Sequence, residues 1–288
     1  MQPSDLEAHR HTVSTDAGDL SYLDVGTGPA ALFVHGIGSN AFLWRNVVGA
    51  LATQRRCVAI DLPLHGQSPV TADLSLAGLA SALAGFCDAL RLDRVDLVAN
   101  DTGGAIAQIF AARHPERLAT LTLTNCDTDG NMPPESFKPL IEQAAAGELA
   151  PSVVALFQDL GTAAQVTFGE MFEDLERVDP WLIRSYLEPC IGTIQRAREL
   201  ERLLVSLDPA DLSAVTPLLR ELAVPTLVAW GTDDKTFDVS WAYWLRDTIP
   251  GVTGVVTIDG GRLFFPDERA AEFVPHLERH WAAATARA

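Results

Sequence analysis

The stretch from Val95 to Gly104 decides the fold and reads Val-Asp-Leu-Val-Ala-Asn-Asp-Thr-Gly-Gly. Its β-rich apolar start, 95–99, predicts a buried strand, and the pattern at 105–112 predicts a helix directly behind it. The two glycines let helix and strand approach closely, because glycine has no Cβ. The tight turn between them therefore forces the side chain at its apex, Asp101, out over the end of the strand.

A strand, a sharp turn with one polar apex residue and a helix form the geometry of a nucleophile elbow, where serine is usual. An ionised Asp101 needs no base to attack carbon, and a carboxylate in water is ionised at neutral pH. The helix N-terminus is expected to keep Asp101 ionised. The aspartyl ester must then be hydrolysed by water, which requires a general base, normally histidine. The alternative is that Asp101 only caps the helix.

Composition and charge limit the class of protein. The 288 residues are 48% hydrophobic, enough for one large core or for a core with an inserted subdomain. No apolar run has the length of a transmembrane helix, and no signal peptide or cysteine pair is apparent, so we expect a cytoplasmic protein. The net charge of −17 argues against nucleic acid or an anionic membrane as partner. We expect a monomer or homodimer with no cofactor and no metal.

Strand and helix patterns alternate along most of the chain. Strands are predicted at 9–15, 19–25, 30–34, 57–60, 95–99, 118–125, 226–230 and 254–258. Alternation with helices implies an α/β fold, a doubly wound and mostly parallel sheet. Between 128 and 217 only helical patterns occur, so this segment is predicted to be an all-helical cap. The core domain then comprises 1–127 and 218–288.

The order of the loops resembles the α/β-hydrolase fold over about residues 10 to 283. The motifs are a His35-Gly36 loop, an Asp-Leu-Pro-Leu-His-Gly-Gln-Ser loop at 61–68, the elbow, the helical segment and Gly-Thr-Asp-Asp at 231–234. Aspartate at the elbow, together with Phe-Leu-Trp-Arg at 42–45, is similar to the haloalkane dehalogenase and epoxide hydrolase branch. The resemblance implies an eight-stranded sheet and an enzyme that acts on a small apolar organic substrate through an aspartyl ester.

The resemblance also implies roles for individual residues. The oxyanion hole would be formed by the backbone N–H groups of Ile37 and Thr102. The orienting carboxylate would be Asp234, with its neighbour Asp233 as a near alternative. Asp127, which follows the strand beside the elbow, is a second candidate for the acid or lines the substrate pocket. Dehalogenases of this branch hold the halide with tryptophan and asparagine side chains, and the matching positions here are Thr102 and Ile37, so halide release is poorly supported.

The histidine of the resemblance is missing. It belongs to the loop after the last strand, where this chain has Arg262-Leu263, and no histidine occurs between His114 and His276. Arg262 stays protonated and cannot be a base; it is expected to bind a substrate carboxylate or to form a salt bridge. A substitute base would have to be His65 or an unpaired carboxylate of near-neutral pKa, Asp127 or Asp234, acting through water.

Tyr186 is the only tyrosine in the predicted cap and is expected to meet the substrate, where it would protonate a leaving oxygen, or else to be a packing residue. The sequence therefore predicts a hydrolase for a small apolar ester, lactone, epoxide or haloalkane-like substrate, with an atypical triad. Two alternatives stay open. One is a lyase, isomerase or cyclase that uses Asp101 as acid or base, and the other is a pseudoenzyme that only binds a ligand.

Overall fold

The computed structural model describes residues 3–286, with side chains from residue 5. Within this range one sheet has eight strands in the spatial order β1-β2-β4-β3-β5-β6-β7-β8. β1 and β2 are antiparallel to their neighbours and the remaining pairs are parallel. The strands are β1 Arg10–Thr15, β2 Gly18–Val25, β3 Ala30–Val34, β4 Arg56–Ile60, β5 Val95–Asp101, β6 Leu118–Cys126, β7 Thr226–Gly231 and β8 Val252–Ile258.

Helices cover both faces of the sheet, which confirms the predicted doubly wound α/β fold. They are α1 Pro3–Glu7, α2 Arg45–Leu51, α3 Leu76–Ala89, α4 Thr102–Arg113, α5 Lys138–Ala146, α6 Leu149–Phe157, α7 Leu160–Phe168, α8 Pro180–Ile191, α9 Ile194–Val205, α10 Pro209–Leu219, α11 Ser240–Thr248, α12 Phe265–Glu268 and α13 Ala270–Thr285. Every residue of β5 and β7 is buried. This is why β7 reads as a nearly unbroken apolar run, as central parallel strands do, whereas β5 also buries Asp96, Asn100 and Asp101.

Helix boundaries differ from the predicted ones at two places. α4 begins at Thr102, immediately after the apex residue, rather than at Ala105. The sequence pattern from Asp267 to about Ala283 also predicts a single helix, but the chain is interrupted at Arg269 and forms the two helices α12 and α13. The cause of the first difference is burial, because Thr102 and both glycines of the turn pack into the core as the first turn of α4.

The chain reverses direction in the sheet beside β3. β4 lies on one side of β3 and β5 on the other, so the connections after β3 and β5 leave the sheet in opposite directions. In open α/β sheets such a switch point leaves a crevice at the carboxyl ends of the strands, where ligands bind. The loop after Val34 and the apex residue Asp101 lie at this edge.

In the described chain, no strand occurs between Cys126 and Thr226. Helices α5 to α9 pack on one another, whereas α10 packs on α3 and α4 of the core. The cap limits of 128 and 217 stay a prediction, and by its contacts α10 sits with the core helices. No single helix in the described residues is long and apolar enough to cross a membrane. The bent helix pair formed by 135–146 and 149–157 has sufficient length and apolar composition only when its two helices are taken together.

Candidate active site

Asp101 stands at the apex of a strained turn. Its φ of 56° and ψ of −135° lie where residues with a Cβ are rarely found. A Cβ added to Gly103 would lie 2.3 Å from the carbonyl oxygen of His35, and one added to Gly104 would lie 2.3 Å from the Cβ of Cys126. The two glycines thus let α4 pack directly against the ends of β3 and β6, and this packing holds Asp101 in the strained conformation.

The loop after β3 closes over the carboxylate of Asp101. A Cβ added to Gly36 would lie 2.1 Å from Oδ2 of Asp101, so only glycine fits there. Hydrogen bonding from the backbone N–H groups of Thr102 and Ile37 acts on the same carboxylate. The two predicted oxyanion-hole donors are therefore brought together, and they meet the side chain of Asp101.

Asp127 is the second carboxylate of the site. Asp101 pairs with Cys126 across a bulge between β5 and β6, which places Asp127 one residue beyond the end of β6. Its side chain is buried and accepts a hydrogen bond from the hydroxyl of Thr102. Its Oδ1 atom is buried and has no hydrogen-bond partner among the described residues. Because buried polar atoms are nearly always paired and Asp127 lines the cavity at Asp101, this oxygen is open to a water or a substrate atom there.

Burial dominates the electrostatics of the two carboxylates. It raises the pKa of Asp101 well above the usual value, and the charge of Asp127 and then that of Asp234 raise this pKa further. The backbone N–H groups of Thr102 and Ile37 lower it. Burial also raises the pKa of Asp127 to about 7, against the hydroxyl of Thr102. Burial and the neighbouring carboxylates therefore oppose the ionised form of Asp101, which the helix N-terminus was expected to favour. Two buried carboxylates side by side share a proton near neutral pH.

Asp234 lies beyond the end of β7, as predicted, but its oxygens are engaged. They accept hydrogen bonds from the N–H of Thr236 at 2.7 Å, the N–H of Phe237 at 3.1 Å and Nδ2 of Asn125 at 2.5 Å. Burial raises the pKa of Asp234 to about 6 although these donors lower it. Its charge also acts on Asp101. The structure thus brings Asp234 to the carboxylate cluster, where no histidine is present for it to orient.

The loop predicted to carry a histidine is closed by packing. Leu263 is buried, and its carbonyl oxygen accepts a hydrogen bond from Nδ2 of Asn100 at 3.1 Å. Arg262 turns away from Asp101. Its Nη1 donates to the carbonyl oxygens of Gly169 and Phe172, and its Nε donates to Asp233 at 3.3 Å. Arg262 therefore joins the helical segment to the core, and the structure does not bring it to the predicted substrate site.

Tyr186 is also placed elsewhere. It is fully buried in α8, and its ring centroid lies 5.9 Å from that of Phe168 and 6.2 Å from that of Phe264. Its hydroxyl has no hydrogen-bond partner among the described residues. Burial, followed by the charge of Asp267, raises its pKa well above the usual value, while Arg45 lowers it. Tyr186 does not line the cavity at Asp101, so its predicted contact with substrate finds no support in this conformation.

Neither histidine near the site is free to act as a base. Nε2 of His35 accepts the N–H of Leu62 at 2.9 Å, and Nε2 of His65 accepts the N–H of Gly38 at 3.1 Å. The other ring nitrogen of each faces a backbone carbonyl oxygen. Burial lowers the pKa of His35 to about 4, and burial together with the charge of His35 lowers that of His65 to about 3. Both side chains are neutral parts of the loop structure.

The cavity at Asp101 is small and covered by a segment that the sequence did not single out. Its volume is about 10 Å³, room for one water at most. Asp101 and Asp127 line its floor, and residues 132–137 with Leu207 form the cover. The only sequence signal for this cover was the proline pair at 133–134. Any substrate larger than water reaches Asp101 only when the cover moves. The described residues contain no group of three or more His, Cys, Asp or Glu side chains arranged for a metal.

Comparisons with known proteins agree with this architecture. The sequence model of a protein family described as the alpha/beta hydrolase fold matches residues 29–150. A 2-hydroxy-6-oxo-6-phenylhexa-2,4-dienoate hydrolase from Comamonas testosteroni is 31% identical over 225 residues, which cover 75% of this chain and 75% of the relative.

A second relative matches almost the whole chain. It is a cis-3-alkyl-4-alkyloxetan-2-one decarboxylase from Shewanella oneidensis, 26% identical over 285 residues, which cover 95% of this chain and 88% of the relative. Among solved structures, a haloalkane dehalogenase from Bradyrhizobium elkani superimposes with a TM-score of 0.78 at 20% identity and covers 97% of this chain and 99% of its own. At that identity the likeness concerns the fold alone.

Proposed function

The chain belongs to the α/β-hydrolase fold family, and from this premise we propose that it is a hydrolase in which Asp101 attacks a carbon atom of a small apolar substrate and forms an ester. The substrate class is an ester, lactone, epoxide or haloalkane-like molecule. One observation carries the proposal, namely that the carboxylate of Asp101 is exposed to the cavity and accepts hydrogen bonds from the N–H groups of Ile37 and Thr102. A carboxylate that only capped a helix would not need the loop after β3 to close over it.

The two N–H groups suit both halves of such a reaction. One carboxylate oxygen of Asp101 is held by them while the other attacks the substrate. After attack, the held oxygen becomes the carbonyl oxygen of the ester. When water adds to that carbonyl, negative charge develops on the same oxygen, and the donors are already in position to stabilise it. Removing one such donor from an enzyme typically lowers the rate by about 10²–10³.

The side chains around Asp101 favour an oxygen leaving group over a halide. The positions that hold halide in dehalogenases are Thr102 and Ile37 here, and neither carries a side-chain N–H. The relative from Shewanella oneidensis acts, by its name, on an oxetan-2-one, a strained oxygen ring with alkyl substituents. We therefore place epoxides and lactones first among the candidate substrates.

The test is a single turnover in ¹⁸O-labelled water with enzyme in excess over 1,2-epoxybutane, β-butyrolactone or 1-bromobutane. If Asp101 forms an ester, the label enters the carboxylate of Asp101 and is found in the peptide that contains it, and Asp101→Asn abolishes the reaction. Label that enters the product directly in the first turnover refutes attack by Asp101. The absence of both product and adduct with all three compounds refutes the proposal for these substrates and favours ligand binding.

A second candidate is a lyase, because Leu263 replaces the expected histidine and the relative from Shewanella oneidensis is named a decarboxylase. If Asp101 opens an oxetan-2-one at its ring carbon, the released carboxylate needs no proton. Loss of carbon dioxide then forms an alkene and expels Asp101, so neither water nor a base is required. The products of β-butyrolactone separate the two candidates, since the lyase gives propene and carbon dioxide and the hydrolase gives a hydroxy acid.

A further inference from the structure

We propose that Asp127 carries out both proton transfers of the reaction, first as the acid that protonates the leaving oxygen and then as the base that activates water, a step for which the family employs a histidine. The inference rests on the proposed attack by Asp101. The sequence left Asp127 open as a pocket-wall residue, an orienting acid or a substitute base. The inference assigns it both proton transfers and names the substrates that the site prefers.

The position of Asp127 meets the needs of such a group. It lines the same cavity as Asp101, and that cavity has room for one water between the two carboxylates and their cover. Its Oδ1 atom has no partner among the described residues, whereas both oxygens of Asp234 are engaged by N–H donors. A base is judged by position first, and of these two carboxylates only Asp127 both lines the cavity and has an unengaged oxygen.

Hydrogen bonding favours one of the two placements of the shared proton. Two backbone N–H groups act on Asp101 and stabilise its ionised form, whereas Asp127 has only the hydroxyl of Thr102. In the reactive form of the pair the proton is on Asp127 and the negative charge on Asp101, although burial raises the pKa of Asp101 as well as that of Asp127. The titratable groups that face the pair are Cys126, a buried thiol with a raised pKa, and Asp234, which faces Asp101.

The first half-reaction then balances without a histidine. The ionised oxygen of Asp101 forms a bond to an epoxide carbon, and the bond from that carbon to the ring oxygen breaks. The ring oxygen takes the proton from the carboxylic acid of Asp127 and becomes a hydroxyl. Asp101 is now a neutral ester, and Asp127 has become a carboxylate beside a neutral neighbour.

The second half-reaction uses the carboxylate that the first one leaves behind. Asp127 removes a proton from water while the water oxygen bonds to the ester carbon of Asp101, and charge develops on the oxygen held by Ile37 and Thr102. When the tetrahedral adduct collapses, the bond to the substrate oxygen breaks, and Asp127 returns its proton to that oxygen. The product is a diol, and the pair is left with the single proton it began with.

The two roles separate substrates by their leaving group. An epoxide oxygen must be protonated as it leaves, so its opening requires Asp127. Bromide leaves without a proton, so alkylation of Asp101 by 1-bromobutane does not require Asp127, although hydrolysis of the resulting ester does. The inference therefore ranks epoxides above haloalkanes as substrates for turnover.

The experiment compares wild type, Asp127→Asn and Asp93→Asn, which changes an exposed carboxylate outside the cavity. Each protein is mixed with 1-bromobutane or 1,2-epoxybutane, and intact mass and product are followed over time. We expect Asp127→Asn to gain one butyl group from 1-bromobutane at least as fast as wild type and to keep it, with ester hydrolysis slower by about 10²–10⁴. With 1,2-epoxybutane it should form neither adduct nor diol, and Asp93→Asn should behave as wild type.

The outcomes separate the inference from the function on which it rests. If no protein gains mass or forms product, the proposed attack by Asp101 fails. If Asp127→Asn is alkylated but releases its ester at the wild-type rate, or still opens the epoxide, attack by Asp101 stands and the role of Asp127 is refuted. Should Asp127→Asn not fold, wild type alone gives the answer, because epoxide opening should fall as pH rises through about 7 while alkylation by 1-bromobutane should not. Parallel pH profiles would overturn the inference.

Discussion

Replacing Asp127 by asparagine should make the protein less sensitive to alkaline pH. A buried carboxyl group with a raised pKa stabilises the folded state below its unfolded pKa, and that stability is lost as pH rises through the folded pKa. For Asp127 the pKa rises from 3.8 to about 7. Asparagine keeps an oxygen that accepts the hydroxyl proton of Thr102, but it cannot ionise in the buried site.

The magnitude follows from the shift. About three pKa units at 1.36 kcal/mol each correspond to about 4 kcal/mol between the protonated and ionised extremes. Part of this is already lost at pH 5, where the unfolded side chain is largely ionised. Between pH 5 and pH 8 the contribution of Asp127 to the free energy of unfolding should therefore fall by about 2–3 kcal/mol. The variant should lack this decline.

The assay is equilibrium unfolding in urea at pH 5, 6, 7 and 8, with the free energy of unfolding extrapolated to water. The difference between variant and wild type is the quantity to read, because other buried groups titrate in the same range. Asp234 and Asp267, with pKa values of about 6, add to the loss of stability at high pH, and His35 and His65 oppose it. The contributions of these four groups are common to both proteins, whereas Asp101, whose pKa the charge of Asp127 raises, should ionise more readily in the variant.

The control is Asp93→Asn, which removes an exposed carboxylate and should leave the pH dependence as in wild type. The reasoning fails if the curves for Asp127→Asn and wild type stay parallel from pH 5 to pH 8. It also fails if the variant loses stability relative to wild type as pH rises. Parallel curves would mean that Asp127 ionises in the folded protein as readily as in the unfolded chain, and the second result would mean that it ionises more readily.

Three further substitutions test other parts of the site. Gly36→Ala should lower the rate of ester formation by about 10²-fold in stopped-flow mixing with 1-bromobutane, because its Cβ would displace the carboxylate of Asp101; an unchanged rate would contradict the close contact. Arg262→Met removes the hydrogen bonds to two carbonyl oxygens of the helical segment, so it should lower the free energy of unfolding by about 1–3 kcal/mol and speed proteolysis of that segment. Proteolysis at the wild-type rate would show that these hydrogen bonds do not hold the segment on the core. Phe137→Ala thins the cover and should raise the second-order rate constant for alkylation of Asp101, and an equal or lower rate constant would show that the cover does not limit entry.

The sequence predicted the sheet and its carboxyl edge well because both depend on local patterns. Buried parallel strands are unbroken apolar runs, and the residues that follow neighbouring strands meet at one edge. The sequence accordingly predicted that the candidate site residues lie near one another, and they do. These residues are Ile37, Asp101, Thr102, Asp127 and Asp234. The start of α4 was predicted three residues late, because its first turn consists of threonine and two glycines, which local propensity does not favour in a helix.

The residues whose roles the sequence left open depend on how the helical segment packs. Arg262 was predicted to bind a substrate carboxylate or to form a salt bridge, and it pairs with Asp233 and donates to carbonyl oxygens of Gly169 and Phe172. Tyr186 was predicted to meet the substrate or to be a packing residue, and it packs in a group of aromatic rings that includes Phe168. No pattern within either segment specifies these contacts, because they form only when two distant parts of the chain meet. The cover at 132–137 was missed for the same reason.

The missing positive charge of a histidine links the raised pKa values of the carboxylate pair to the sequence of the last loop. The sequence shows the helix N-terminus behind Asp101, which provides about half a positive charge and acts only over the first turn. Burial and a second carboxylate are properties of the folded protein, and together they outweigh that charge. A protonated imidazole beside Asp101 and Asp127 would supply a full positive charge and keep both ionised. With Arg262 and Leu263 in the loop where the family has a histidine, we expect the pair to hold a proton of its own, which is the proton that the proposed oxygen leaving group requires.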